Sequence, residues 1–202
     1  MPGFPLPTAS RRTRFIGVAL FSALTVLAGC STEQNGVTIP QEAINRLGGI
    51  SMDDILPRSE PKAFLASFDR YCAPYIGAPS KTKAVLEHDG YVKFAIIHGN
   101  AQAYAHPRGK PMVAIGKTNS GVPLCMVLSR ENTALPRAVN SYLHKHFGAR
   151  ITEVTKFIPT RRDGKYRAWA ATASGRQLLY VTLLKPDPNL GNIFAFTVGL
   201  AK

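Results

Sequence analysis

The stretch TALPRAVNSYLHKHF, residues 133–147, decides the fold of this chain. Leu135, Val139, Leu143 and Phe147 recur at every fourth position, and Gly148 follows the last of them. This spacing predicts an amphipathic helix that buries one apolar face and ends at the glycine.

Strand patterns surround this helix on both sides, with turn pairs such as Asp163-Gly164 and Ser174-Gly175 between them. An apolar stripe after Ser59 and the pattern of residues 80–89 predict two further helices. The predicted strands are 91–97, 112–115, 124–128, 151–158, 166–172, 178–184 and 193–200. Because the pattern has no βαβ rhythm, it predicts an α+β fold in which two or three helices pack on one face of an antiparallel meander sheet.

Two segments of the chain resemble each other at an offset of 54 residues. TNSGVPL at 118–124 is similar to TASGRQL at 172–178, and KAV at 83–85 is similar to RAV at 137–139. The similarity suits a duplicated helix-plus-meander unit. It also suits two unrelated hairpins that use common turn chemistry, and the sequence leaves both interpretations open.

The composition excludes a wholly disordered chain and places the positive charge in one region. The 202 residues suffice for one domain of ordinary size, and 45% of them are apolar. With 25 basic and 12 acidic residues, the formal net charge is +13. Residues 31–60 carry a net charge of −3 and residues 61–202 carry +13, so the charge belongs to the globular part.

The N-terminus has the organisation of an export signal. Arg11, Arg12 and Arg14 form a positive region without a nearby acid, and residues 16–28 are uncharged and almost wholly apolar. Thirteen helical residues span about 20 Å, which is short of the roughly 30 Å hydrocarbon core of a bilayer. A cleaved secretory signal is therefore favoured over a permanent transmembrane helix.

The signal ends in Leu27-Ala28-Gly29-Cys30, which resembles the lipobox of bacterial lipoproteins. The resemblance implies cleavage before Cys30, a diacylglycerol thioether on its sulfur, and palmitate or another acyl chain on the new amino group. Two or three acyl chains anchor a protein durably, because each buried methylene contributes roughly 0.8 kcal/mol. By the sorting rule of such lipoproteins, Ser31 implies the periplasmic face of the outer membrane in a two-membrane bacterium.

Cys72 and Cys125 remain once Cys30 carries the lipid. In an oxidising periplasm, an even pair of cysteines most simply forms a disulfide. Closing a loop of about 54 residues would restrict the unfolded chain by roughly 4 kcal/mol. A redox-active pair is the weaker alternative, since the chain has no Cys-x-x-Cys motif.

We therefore expect three segments. Residues 1–29 are the cleaved signal peptide, residues 30–58 are the lipidated N-terminus and a tether, and residues 59–202 form a single basic α+β domain. Within the tether, residues 40–47 predict two helical turns, and Ser51-x-x-Asp54 resembles a capping box.

Two serine–lysine pairs match a motif of penicillin-recognising enzymes. They are Ser59-x-x-Lys62 and Ser80-x-x-Lys83. Both serines lie where a helix N-cap is expected, so the sequence predicts a capping role for them and no catalytic residue.

The histidines do not predict a metal site. His144 and His146 lie about 200° apart around the predicted helix, so they cannot easily share a metal ion. The other three histidines are His88, His98 and His106. They lie near the ends of predicted helices and strands, where exposed histidines are common. We predict no metal and no cofactor. We expect a non-enzymatic protein, and the alternative is a cell-envelope hydrolase whose site is assembled from scattered residues.

A cluster of basic residues is the remaining functional signal. Within 27 residues that contain only two acids, Glu153 and Asp163, the chain has Arg150, Lys156, Arg161, Arg162, Lys165, Arg167 and Arg176. The cluster is either a solvated surface that aids solubility or a binding site for an anionic partner. The candidate partners are anionic lipid, lipopolysaccharide, a cell-wall polymer and an acidic protein, and the export signal argues against nucleic acid. A structural subunit of an envelope complex is a further alternative.

Overall fold

The computed structural model of the protein describes residues 32–34, 37–39, 41–48, 50–97, 101–118, 121–157 and 164–201. Its helices are α1 (Gln41–Leu47), α2 (Met52–Ile55), α3 (Pro61–Tyr71), α4 (Pro79–His88) and α5 (Leu135–Phe147). Its strands are β1 (Thr32–Gln34), β2 (Val37–Ile39), β3 (Val92–Ile97), β4 (Ala101–Ala105), β5 (Met112–Lys117), β6 (Pro123–Arg130), β7 (Ile151–Glu153), β8 (Lys165–Ala173), β9 (Arg176–Asp187) and β10 (Gly191–Leu200). These strands pair antiparallel in one sheet, which confirms the predicted α+β fold.

The sheet consists of two meanders that meet in its middle. The strand order is β1-β2-β3-β4-β5-β6-β10-β9-β8-β7. The last strand of each meander pairs with the other, so that Ser129 of β6 lies opposite Phe194 of β10. The two ends of this order, β1 and β7, are the two edges of the sheet.

One face of the sheet carries α3, α4 and α5. Leu135, Val139 and Leu143 of α5 are fully buried, as their spacing predicts. Phe68 of α3 stacks on Phe196 of β10, with 4.2 Å between the ring centroids. Because each buried aromatic side chain removes roughly 150–250 Å² from water, this aromatic layer makes a large contribution to the stability of the core.

The other face of the sheet carries α1 and α2 over β3, β4 and β5. Leu47 of α1 and Ile55 of α2 are at most 6% exposed and cluster with Ala114 of β5. Ala114 follows Val113, which belongs to the core of the first face, and successive strand residues point to opposite faces. Two helices thus come from the segment expected to be a tether, and the predicted arrangement of helices on one face did not include them.

The Ser51 motif acts as predicted. The Ser51 hydroxyl donates to a carboxylate oxygen of Asp54 over 2.8 Å, and the Asp54 N–H donates to Ser51 Oγ over 3.3 Å. This pair lies at the start of α2 and satisfies an N–H group that has no partner within the helix.

The caps predicted at Ser59 and Ser80 are wrong. Each helix has a proline in its first turn, Pro61 in α3 and Pro79 in α4, and neither N-cap residue makes a side-chain cap hydrogen bond. Proline suits this position because its φ is already helical and its missing N–H would have had no partner there. Ser80 therefore lies inside α4.

The strand predicted over 151–158 is shorter than expected. Strand β7 ends at Glu153, and a 3₁₀ turn follows over Thr155–Phe157. The cause is Thr155, whose Oγ accepts the Ala168 N–H of β8 over 2.9 Å. The Thr155 side chain thus accepts the β8 hydrogen bond that a backbone carbonyl of a longer β7 would have accepted, and the chain leaves the sheet at this point.

Candidate functional site

The basic residues predicted as a binding surface lie near the β7 edge of the sheet. Arg150 ends a 3₁₀ turn, Lys156 lies in the Thr155–Phe157 turn, and Lys165 and Arg167 lie on β8. Arg176 begins β9, and all five of these side chains belong to exposed residues. The other two predicted members, Arg161 and Arg162, lie outside the described residues.

The strand register separates these residues into two groups. Lys165 lies opposite Leu184 and Arg176 lies opposite Ala173, at the two ends of β8. Eight residues of extended strand correspond to about 26 Å. We call Lys156, Lys165 and Arg167 the Lys165 group, and we call Arg150 and Arg176 the Arg176 group.

Within the Lys165 group, an acid compensates the charge of Arg167. Its Nη2 donates to Glu153 Oε2 over 2.7 Å, and its Nε donates to Oε1 over 3.2 Å. The Arg167 guanidinium, together with the Thr155 hydroxyl, holds the pKa of Glu153 below its ordinary value. Arg167 also lies 5.0 Å from the centroid of the buried Trp169 ring, so its side chain is fixed by two contacts.

The other four cations have no acidic partner among the residues that the structure describes. They are Arg150, Lys156, Lys165 and Arg176. Arg150 makes one hydrogen bond, in which its Nε donates to the Phe147 carbonyl over 3.4 Å. Their charges are therefore available to an anionic ligand.

Phe157 is a feature of this surface that the sequence did not reveal. It is 72% exposed, and no other large apolar side chain among the described residues is exposed to solvent to a comparable extent. The Lys156 ammonium lies 5.0 Å from the centroid of its ring. The sequence predicted a continuous strand over 151–158, whereas the turn that exposes Phe157 depends on the long-range contact of Thr155 with Ala168.

The predicted disulfide is present. Cys72, at the end of α3, and Cys125, on β6, have Cα atoms 5.3 Å apart and an S–S distance of 1.98 Å. Both residues are buried, and the bond fastens the C-terminus of α3 to the centre of the sheet.

A second polar cluster was missed because its members are far apart in sequence. Arg70 of α3 donates from Nη2 to Asp89 Oδ1 over 2.8 Å, and the Tyr71 hydroxyl donates to Oδ2 over 2.8 Å. His88 Nδ1 lies 3.2 Å from Oδ1. The Arg70 guanidinium is the main cause that holds the pKa of Asp89 well below its ordinary range, so the carboxylate stays ionised.

Arg70, Tyr71 and Asp89 of this cluster line an open surface depression of about 310 Å³, to which Ser67 and Lys110 also contribute. An ionised carboxylate whose oxygens already accept hydrogen bonds from Arg70 and Tyr71 cannot act as a general acid near neutral pH. Asp89 follows the last residue of α4, and its pair with Arg70 joins the two helices. We therefore assign the cluster a structural role.

His106 differs from its predicted exposed position. It is 7% exposed, its Nδ1 accepts the Arg108 N–H over 3.0 Å, and its ring lies edge-on to Tyr91. Burial lowers its pKa. The described residues contain no group of three or more side chains that could hold a metal ion, and His98 lies outside them.

Comparisons with known proteins do not place the chain in a family: no family model matches it, and no curated protein or solved structure is significantly similar to it. Among the residues that the structure describes, no helix is long and apolar enough to cross a membrane.

Proposed function

We propose that this chain is a non-enzymatic lipoprotein of the bacterial cell envelope that binds an anionic partner through its basic surface. The acylated Cys30 would hold it at the periplasmic face of the outer membrane. The observation that carries the binding role is a set of four exposed cations near β8 that have no acidic partner among the described residues, with Lys165 and Arg176 at the two ends of that strand.

The spacing of the two groups suits an extended or repetitive partner. Exposed charges interact effectively within a Debye length, which is about 8 Å at physiological ionic strength. Lys165 and Arg176, which lie about 26 Å apart along β8, therefore act as separate contacts. Anionic lipid, lipopolysaccharide, a cell-wall polymer or an acidic protein surface could contact both groups, whereas a single small anion could not.

The experiment compares two double variants with a matched control. Arg150→Gln/Arg176→Gln and Lys156→Gln/Lys165→Gln each remove two unpaired cations from one group. Lys62→Gln/Lys81→Gln removes two exposed cations from α3 and α4 and leaves both groups intact. Binding of the full chain to purified cell wall and to anionic and neutral vesicles is measured at several salt concentrations.

We expect both test variants to weaken salt-sensitive binding, and we expect the control to bind as the wild type does. Equal binding by all four proteins, or binding that salt does not change, would contradict the proposal. The anchor is tested separately with Cys30→Ser, which we expect to leave the membrane fraction. Unchanged fractionation of that variant would refute lipidation.

A structural subunit of an envelope complex is the second candidate, and one observation favours it. On the second face of the sheet, Leu179, Val181 and Leu183 of β9 are partly exposed, and they do not belong to the cluster formed by α1 and α2. Co-purification after mild detergent extraction tests this role, since a lone binder would be recovered without a stoichiometric partner. The alternative of a hydrolase gains nothing comparable, because Asp89 and Glu153 are each held by an arginine.

For the architecture, we infer that the similarity between the turn segments 118–124 and 172–178, which lie 54 residues apart, reflects common turn chemistry. The offset aligns the β5–β6 hairpin with the β8–β9 hairpin. The mirrored strand order instead makes β5 and β6 the counterparts of β9 and β10. The helix part of the similarity does follow the strand order, because α4 and α5 each precede four consecutive strands of one meander. Common turn chemistry therefore accounts for the two hairpins alone.

A further inference from the structure

We propose that the Thr155–Phe157 turn is a membrane-contact element that inserts Phe157 into an anionic phospholipid bilayer. This inference rests on the proposed function, which requires an anionic partner, and it names that partner for the Lys165 group. It is carried by the exposed Phe157 side chain and the adjacent Lys156, which has no acidic partner among the described residues, on a turn that the sheet holds in position.

The turn is fixed to the sheet edge by hydrogen bonds. The Thr155 hydroxyl donates to Glu153 Oε1 over 2.8 Å and accepts the Ala168 N–H over 2.9 Å. The Phe157 N–H donates to the Val154 carbonyl over 2.9 Å. The backbone therefore presents Phe157 to solvent without first having to become ordered, which lowers the entropic cost of insertion.

The surrounding charges suit the boundary between lipid headgroups and acyl chains. Lys156 lies against the Phe157 ring. Lys165 begins β8 three residues before Ala168, which binds Thr155, and three strand residues span about 10 Å. A lysine near an anionic membrane surface strengthens binding by roughly fivefold. An inserted aromatic side chain with cations above it is the usual arrangement of an interfacial contact.

A bilayer fits this feature better than a protein does. A stable protein interface buries roughly 800 Å² on each partner, whereas one phenylalanine offers at most about 250 Å². Phe157 is the exposed large apolar side chain of the described residues, so no wide apolar patch surrounds it there. Lipid tails can enclose one protruding side chain without needing a complementary surface.

The test uses F157W in the full chain, reconstituted through its N-terminus into vesicles. The wild type is the matched control, because its single tryptophan, Trp169, is 1% exposed. Brominated lipid is placed either in the host vesicles or in a second vesicle population, both with 30 mol% phosphatidylglycerol, so that the two arms identify which bilayer is contacted. We expect quenching and a blue shift for F157W in one arm, and neither for the wild type.

Two further measurements separate insertion from adsorption. In a Cys30→Ser background, which removes the lipid anchor, Phe157→Ser should weaken association with phosphatidylglycerol vesicles about tenfold, because the burial of a phenylalanine is lost. Lys156→Gln in the same Cys30→Ser background should weaken this association about fivefold, and replacing phosphatidylglycerol with phosphatidylcholine should weaken it further. Since Phe157 is exposed, none of these changes should alter the fold, and circular dichroism checks this.

Absence of quenching in both arms, or unchanged vesicle association of Phe157→Ser, would overturn the inference. If the charge variants of both groups still weaken binding to cell wall or vesicles in that case, the proposed function stands without the membrane contact. If those variants bind as the wild type does, the proposed function itself fails. The two failures therefore give different results.

Discussion

Reducing the disulfide between Cys72 and Cys125 should destabilise the protein by about 4 kcal/mol. The two cysteines are 53 positions apart in the sequence, and the loss of loop-closure entropy in the unfolded chain grows with that separation. For a domain of this size, each kcal/mol shifts the melting temperature by roughly 2–4 °C. We therefore expect the reduced protein to melt about 8–16 °C below the oxidised one.

The assay is thermal unfolding with and without a thiol reductant, followed by the fluorescence of the single tryptophan. Trp169 is buried in the fold and should report global unfolding. Cys72→Ser/Cys125→Ser is the matched control, since it should melt near the reduced wild type and should not respond to the reductant. Melting temperatures of the oxidised and reduced wild type within about 1 °C of each other would refute the loop-closure reasoning.

Three other predictions concern the core, the N-terminal helices and pH. Phe68→Ala should cost about 3–5 kcal/mol in urea unfolding, because Phe68 is fully buried against Phe196, whereas the exposed Phe157→Ala should change stability by less than about 0.5 kcal/mol. Leu47→Ala should lower the free energy of unfolding by about 2–5 kcal/mol. A chain that begins at residue 59 should also be less stable than one that includes α1 and α2, and equal stability would show that these helices do not belong to the folded unit. The pKa of Asp89 is lowered in the folded state, so its contribution to the free energy of unfolding is complete above the unfolded carboxyl pKa of about 4 and is lost as the pH falls below that value. As the pH is lowered from 7 to 2.5, the urea midpoint should therefore fall less steeply for Asp89→Asn than for the wild type.

The sequence predicted those elements whose burial follows from local periodicity. The fourth-residue spacing of α5 identified its buried side chains, because a helix that packs on a sheet must place its apolar residues on one stripe. The Ser174-Gly175 turn was also predicted from a local signal, a serine–glycine pair between two strand patterns. Both residues have positive φ, 51° and 72°, as a two-residue hairpin turn requires.

Elements whose structure depends on distant partners were not predicted. Strand β4 is rich in alanine, which has low strand propensity, yet Ala103 and Ala105 are fully buried in the cluster that β3, β4 and β5 form with α1 and α2. Helices α1 and α2 lie in the segment that was expected to be a tether with short helical turns. Only the cluster with β3, β4 and β5 shows why their apolar residues suffice to fix the segment.

The candidate site divides along the same line. The sequence identified the basic residues and their shared strands, because composition and alternation are local. It did not reveal that Glu153 compensates Arg167 across fourteen positions, or that Thr155 ends β7 by bonding β8. Both contacts depend on the register of two strands, which neither strand specifies alone.

The strand order also relates the proposed anchor to the proposed membrane contact. Thr32 begins β1 two residues after Cys30, so an acylated Cys30 would hold the β1 edge within about 7 Å of the lipid surface. Phe157 lies at the β7 edge, nine strand spacings away, which corresponds to about 43 Å measured along the sheet. A sheet that lies along the membrane would bring Phe157 to the bilayer that holds the anchor, whereas a sheet that stands upright would present it to an opposing surface. Quenching from the host vesicles indicates the first arrangement and quenching from the added vesicles indicates the second, so one measurement determines both the contact and the orientation of the domain.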